Sequence, residues 1–280
     1  MVLDKLCSNG FFHIVALDHR ESLRRMIKPE NPEAVTRKDM EIVKLRLAKI
    51  FCEEASGILL DPIYGKPAIR VVKRKCGLIL ALEESGYEDG EYGRLTKLIK
   101  GFGPREAVKL GADAAKLLIY FNPKAKTAKK QKELVKEVAR ECEDVGLPLI
   151  CEFLVYPLDE KNFEEEKSEL IIKSVKQISR LGIQLLKVEF PGKIGENREI
   201  LEKRCEKITE SSEVPWVLLS RGVDFEEFKE QLKISINCGA SGFMVGRALW
   251  QDYFKPGIGK REFLRVECLR RLNELKKIAS

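Results

Sequence analysis

Eight short apolar runs, each bounded by turn or charged residues, alternate along the chain with longer amphipathic segments. The runs are 12–18, 57–61, 78–83, 115–120, 149–155, 185–190, 216–220 and 242–246, all rich in Ile, Val, Leu or Phe. Runs of about 5–8 such residues read as strands. Between them, 37–54, 133–144, 168–181, 199–209 and 225–236 carry apolar residues at helical spacing. In the first of these, Ile42, Val43, Leu45, Leu47, Ala48 and Phe51 fall mostly on one face. Strands alternating with helices pair in parallel, because a parallel pair needs a crossover connection. The count and the 280 residues fit a closed (β/α)₈ TIM barrel, with a doubly wound open sheet as the alternative. No Pro/Ser-rich linker divides the chain, so residues 1–280 read as one barrel domain, with 62–76 and 253–262 as loop insertions.

Composition narrows the class of protein. An apolar content of 44% supplies a sizeable core and excludes a disordered chain. The 51 Lys and Arg exceed the 44 Asp and Glu by a modest +7, which does not decide the partner. The basic stretch 124–132 has no interleaved aromatics and reads as a solvated helix face, so no nucleic-acid partner is expected. No apolar stretch approaches the ~20 residues of a membrane span. The start lacks the pattern of a signal peptide. Eight scattered cysteines with no Cys-x-x-Cys read as buried reduced thiols. A cytoplasmic protein without a membrane partner is the expectation.

Barrel enzymes place their chemistry at the carboxyl ends of the strands. There the sequence puts ionisable residues where packing alone would ask for Val or Leu. Strand 1 ends in Asp18-His19-Arg20, strand 2 at Asp61 and strand 3 at Glu83. Strand 4 carries Lys116, strand 5 Glu152, and strand 6 Lys187 and Glu189. Lys116, Glu152 and Lys187 lie on three neighbouring staves. Inward side chains of even-numbered strands share a layer, so the two lysines should meet with Glu152 between them. A second cation and partial desolvation would lower a lysine pKa and yield an amine able to attack a carbonyl. A buried Lys–Glu network without chemistry is the simpler alternative, but such pairs stabilise weakly compared with apolar packing.

Two histidines, His13 and His19, are too few for a three-histidine zinc site. Asp18, Asp61 and Glu83 are of the right type to hold magnesium but match no metal-binding spacing motif; no metal and no organic cofactor is the expectation. His13, in an apolar strand, reads as a core residue, and His19, just past a strand end, as a candidate substrate contact. Barrels commonly bind phosphate with the loops after strands 7 and 8. Here those loops are Ser220-Arg221-Gly222 and Gly246-Arg247-Ala248, which combine backbone access, a hydroxyl and charge. A dinucleotide site has little support, since Gly101-Phe102-Gly103 and Gly257-Ile258-Gly259 lack the third glycine of the fingerprint.

Four strand ends read Ala16-Leu17-Asp18-His19-Arg20, Leu60-Asp61-Pro62-Ile63-Tyr64-Gly65, Leu82-Glu83-Glu84-Ser85-Gly86-Tyr87 and Leu186-Lys187-Val188-Glu189. Together these motifs resemble the class I tagatose-1,6-bisphosphate aldolase family, with its sulfofructosephosphate aldolase-like members. Pro215-Trp216-Val217-Leu218-Leu219-Ser220 and the stretch from Gly239 to Trp250 extend the likeness over nearly the full length. The resemblance implies metal-independent retro-aldol cleavage of a ketose phosphate to dihydroxyacetone phosphate and an aldehyde. It assigns Lys187 to the Schiff base, Lys116 to the second lysine, Glu152 to acid/base work and Asp18 to the substrate. His19 and Arg20 follow Asp18 as substrate contacts. The family's phosphate-binding turn maps onto Ser220 and Gly222, with Gly246 and Arg247 after strand 8, and Arg221 between them could either add a phosphate contact or turn to solvent. The family commonly has Gln where His19 stands and a small residue where Arg221 stands.

Two other functions fit the same barrel: a sugar-phosphate isomerase working through Glu152 and Glu189, and a catalytically weak sugar-phosphate sensor. In each case the partner is a phosphorylated sugar. Apolar residues of the terminal helix, Phe263, Leu264, Val266 and Leu269, suit either a homo-oligomer contact or ordinary barrel packing.

Overall fold

The computed structural model describes residues 3–90 and 93–280. Eight parallel strands form the barrel: β1 (Phe11–Ala16), β2 (Gly57–Leu60), β3 (Gly77–Ala81), β4 (Ala114–Tyr120), β5 (Leu149–Leu154), β6 (Leu185–Glu189), β7 (Trp216–Leu219) and β8 (Gly242–Val245). Each pairs with its sequence neighbour, and β8 pairs in parallel with β1, closing the ring. Closure excludes the open doubly wound sheet. A helix follows each strand: α1 (Arg37–Phe51), α2 (Lys66–Val72), α3 (Pro104–Leu110), α4 (Ala128–Asp144), α5 (Phe163–Ile178), α6 (Arg198–Ser211), α7 (Phe225–Asn237) and α8 (Leu269–Ile278).

The period-two alternation of each strand divides the core into two layers. Residues of one phase, such as Val15, Ile58, Leu117, Cys151 and Val188, join the large cluster under the helices. The other set, including Ile14, Leu59, Ile79, Ala81, Ala114, Ile150, Leu185, Val217 and Met244, fills the barrel interior. Leu6, on the one-turn helix Asp4–Leu6, is buried in that interior set, and its Cδ2 lies 2.2 Å from where a Cβ on Gly77 would sit. Following the inward phase upward brings Asp18, Glu83, Lys116, Glu152 and Lys187 to the opposite, carboxyl end.

Local signals fix the helix starts. Thr36 and Asp39 form a reciprocal capping box for α1, Asn197 caps α6 and Asp224 caps α7. Three details depart from the sequence reading. Residues 62–76 are not a plain loop insertion. Asp61 Oδ1 accepts the amides of Ile63 and Tyr64, and Pro67 then opens α2. Gly65 is required there, since a Cβ would sit 2.2 Å from the Asp61 carbonyl oxygen. The second expected insertion, 253–262, is partly helical, with one-turn pieces at Gln251–Phe254 and Lys260–Glu262. The buried stripe of α1 runs through Met40, Val43, Lys44, Leu47, Ala48 and Phe51, while Ile42 is exposed. A small antiparallel hairpin, Glu88–Gly90 with Gly93–Leu95, rises between β3 and α3. All eight cysteines are free thiols, and among the described residues no helix is long and apolar enough to cross a membrane.

Candidate active site

At the carboxyl end of the barrel lies a cavity of about 280 Å³, lined in part by Asp18, His19, Arg20, Lys116, Glu152, Lys187, Ser220, Arg221, Gly246 and Arg247. Strand register assembles its centre. Lys116 pairs with Ile150 across β4 and β5, and Glu152 stands opposite Lys187 across β5 and β6. Glu152 therefore reaches both lysines: its Oε2 is 2.8 Å from Lys187 Nζ and 3.0 Å from Lys116 Nζ. Lys187 is only 5% exposed, and the part of it that is open faces this cavity.

The two lysines do not play equal electrostatic parts. Lys116 Nζ also meets Asp18 Oδ2 at 3.0 Å and Glu83 Oε1 at 2.7 Å, so three carboxylates surround it. Burial opposes its charge, but Asp18, Glu152 and Glu83 overcome that and raise its pKa well above the usual lysine value. Lys116 is thus a fixed ammonium, where the sequence suggests two lysines repelling one another. Burial likewise opposes ionisation of Asp18 and Glu152. The nearby Lys116 and Lys187 prevail in both cases and hold the carboxyls below the ordinary range.

His19 packs edge-on against Trp250, with ring centroids 5.2 Å apart. Burial, seconded by Arg247, Lys187 and Lys44 against the pull of Asp18, lowers its pKa to about 3. The cavity therefore holds a neutral imidazole at neutral pH. Gly246 makes room for it, because a Cβ there would approach His19 Cε1 to 2.7 Å. Arg20 Nη2 donates to the Glu83 carbonyl at 2.6 Å, which ties the β1 end to the β3 end.

The loops after β7 and β8 meet at Arg247. Ser220 Oγ accepts the Gly246 amide at 3.4 Å. Gly222, with φ +88°, does not line the cavity; it lies against the guanidinium, and a Cβ there would stand 2.8 Å from Arg247 Cζ. Arg247 Nε is buried with no hydrogen-bond partner. Arg221 has φ +44° and donates to Glu189, which also receives the Val155 amide at 3.1 Å and lies 3.5 Å from Lys167 Nζ. Glu189 is consumed by these contacts and does not line the central cavity. An isomerase built on Glu152 and Glu189 thereby loses its second carboxylate.

Sequence reasoning leaves several contributors unassigned. Glu83 is visible as a strand-end acid in phase with Ile79 and Ala81, but its bond to Lys116 is not. Tyr120, which lines the cavity and packs edge-on against Tyr87 with ring centroids 4.5 Å apart, reads as an ordinary strand aromatic. Asp61 is drawn away from the site by Lys44 Nζ at 2.7 Å. Among the described residues no group of three or more His, Cys, Asp or Glu could hold a metal ion.

A family model described as DeoC/LacD family aldolase matches residues 12–252. The tagatose 1,6-diphosphate aldolase of Lactococcus lactis subsp. lactis is 29% identical over 306 aligned residues, which cover 99% of this chain and 93% of that protein. Its counterpart in Streptococcus pneumoniae (strain ATCC BAA-255 / R6) is 30% identical over 306 residues, with the same coverage of 99% and 93%. Among solved structures, an archaeal fructose 1,6-bisphosphate aldolase superposes with a TM-score of 0.69 at 22% identity, over 99% of this chain and 96% of that one. That last likeness speaks to the barrel. Taken with the full-length sequence match, the chain belongs to the DeoC/LacD family of aldolases and so to the lyases.

Proposed function

We propose that residues 1–280 act as one class I aldolase domain. Its substrate is a ketose bisphosphate or related ketose 1-phosphate such as tagatose 1,6-bisphosphate, cleaved to dihydroxyacetone phosphate and an aldehyde. The observation that carries this reading is the placement of Lys187 Nζ, shielded from bulk water yet open to the cavity, 2.8 Å from Glu152 and beside the Lys116 ammonium.

Lys187 passes a proton to Glu152 and attacks the C2 ketone. Glu152 returns that proton to the carbinolamine hydroxyl, which leaves as water; Glu152 is again a carboxylate, and the protonated Schiff base draws electrons from the C3–C4 bond. Glu152 accepts the C4 hydroxyl proton as that bond breaks, and a proton then returns to C3 of the enamine. Hydrolysis of the imine releases dihydroxyacetone phosphate and frees Lys187. Lys116, charged throughout, holds a substrate oxygen and keeps Asp18 and Glu152 in place. Asp18 orients hydroxyls. Arg247, seated against Gly222, grips the C1 phosphate together with Ser220 and the Gly246 backbone, so that binding energy positions the scissile bond. His19, neutral, donates to or accepts from a hydroxyl without adding charge, and Arg20 supports the same end.

A panel of ketose phosphates assayed for triose phosphate release tests this reading. Release from at least one of them is expected. Ketose–aldose interconversion without triose, or ligand-dependent thermal stabilisation without turnover, would replace it with the isomerase or the sensor.

A further inference from the structure

Lys44 occupies a helix position that packing would give to Leu or Met. It stands one turn from Met40 and from Ala48 on the core-facing stripe of α1, and it is fully buried. Its ammonium has three oxygen partners: Asp61 Oδ2 at 2.7 Å, the His19 carbonyl at 2.8 Å, and the Leu17 carbonyl. The two carbonyls belong to the residues on either side of Asp18. Regular β1 pairing ends with Ala16, and the last strand-like bond is from the Leu17 amide to the Leu59 carbonyl at 2.8 Å. Beyond it the carbonyls of this segment are held by side chains. Trp250 Nε1 donates to the Ala16 carbonyl at 3.2 Å, and Lys44 takes the next two that face it.

We infer that Lys44 is a positioning residue for the aldol reaction: its buried ammonium bridges the carbonyls of Leu17 and His19 and thereby sets the Asp18 carboxylate against Lys116 and the substrate. This inference rests on the proposed aldolase function, in which Asp18 contacts substrate. A buried Lys–Asp pair is a poor way to stabilise a core, since apolar residues of similar volume commonly do as well or better. What an apolar residue cannot do is satisfy two carbonyls of an irregular segment at once. Asp61 serves as the counter-charge, and its other oxygen caps the turn leading into α2.

The discriminating variant is K44M/D61N, which removes both members of the pair while the introduced amide oxygen still accepts from the Ile63 and Tyr64 amides. It is compared with wild type, Asp18→Asn and the triple combination, by melting temperature, kcat and KM on the ketose phosphate that wild type cleaves best. The inference expects K44M/D61N to melt within a few degrees of wild type yet lose on the order of tenfold or more in kcat/KM. It also expects the same pair of changes to cost almost nothing further in the Asp18→Asn background, because residues that act as one unit are not additive. A purely structural role predicts near-wild-type activity once the charges are removed together, and that result would overturn the inference. So would an equal loss in both backgrounds, which would mean Lys44 does not work through Asp18. Should wild type itself neither cleave any ketose phosphate nor form a borohydride-trapped adduct, the aldolase reading is what has failed, and the tether has no reaction to serve.

Discussion

His19 offers a test of the site that does not depend on turnover. Its ring is largely enclosed near Arg247, Lys187 and Lys44, with Asp18 3.7 Å from Nδ1, and desolvation lowers its pKa to about 3, against 6.5 for a free histidine. The unfolded chain therefore binds a proton at this residue below pH 6.5 that the folded chain refuses until about pH 3. Between those values the unfolded state carries more protons, so stability rises with pH and is lost as pH falls. Lowering the pH from 7 to 4 gives the unfolded imidazole nearly a full proton and the folded one roughly a tenth of one. Integrated, this one residue accounts for about 3 kcal/mol of lost stability. Urea unfolding of wild type and His19→Gln at pH 7 and pH 4 isolates it, since His13 and the carboxylates are common to both chains. The variant should lose less stability on acidification, by about 3 kcal/mol. Equal losses in the two proteins would refute the picture of an imidazole kept neutral by this site.

Glu152→Gln keeps the volume of the bridging residue but removes its proton-accepting oxygen. Turnover should fall by about 10²–10⁴, as expected for loss of a general acid/base, while KM changes little. Gly222→Ala should displace Arg247, because the new Cβ would lie 2.8 Å from its Cζ at a backbone φ of +88°. Losing one charge-assisted contact of ~1.5–3 kcal/mol raises KM for the phosphorylated substrate by about tenfold or more, with weaker inhibition by inorganic phosphate and a small change in kcat.

Much of this architecture can be read from the chain because it rests on local periodicity. Each of the eight strands shows as an apolar run, and the inward phase of β4, β5 and β6 places Lys116, Glu152 and Lys187 together without further information. What stays hidden depends on contacts between distant segments. Lys44 looks like one more surface lysine on a charged helix, and only the packing of α1 against the β1 and β2 ends turns it inward. Asp61 looks like a strand-end acid of the same kind as Asp18 until that lysine claims it. Glu189 sits two residues beyond Lys187, in the same phase, yet Arg221 and the Val155 amide draw it to the flank. The α2 helix is hidden by a Pro- and Gly-containing entry that reads as loop. Its start is set by the Asp61 side chain rather than by a capping Ser or Thr.

The central claim is that the nitrogen of Lys187 becomes covalently joined to the sugar carbonyl. The most direct measurement is borohydride reduction of the protein in the presence of dihydroxyacetone phosphate, followed by peptide mapping. The account predicts a reduced adduct on Lys187, visible also as a lost tryptic cleavage after that residue, and no adduct in Lys187→Ala. An unmodified wild-type protein, or an adduct carried by Lys116 instead, would contradict it.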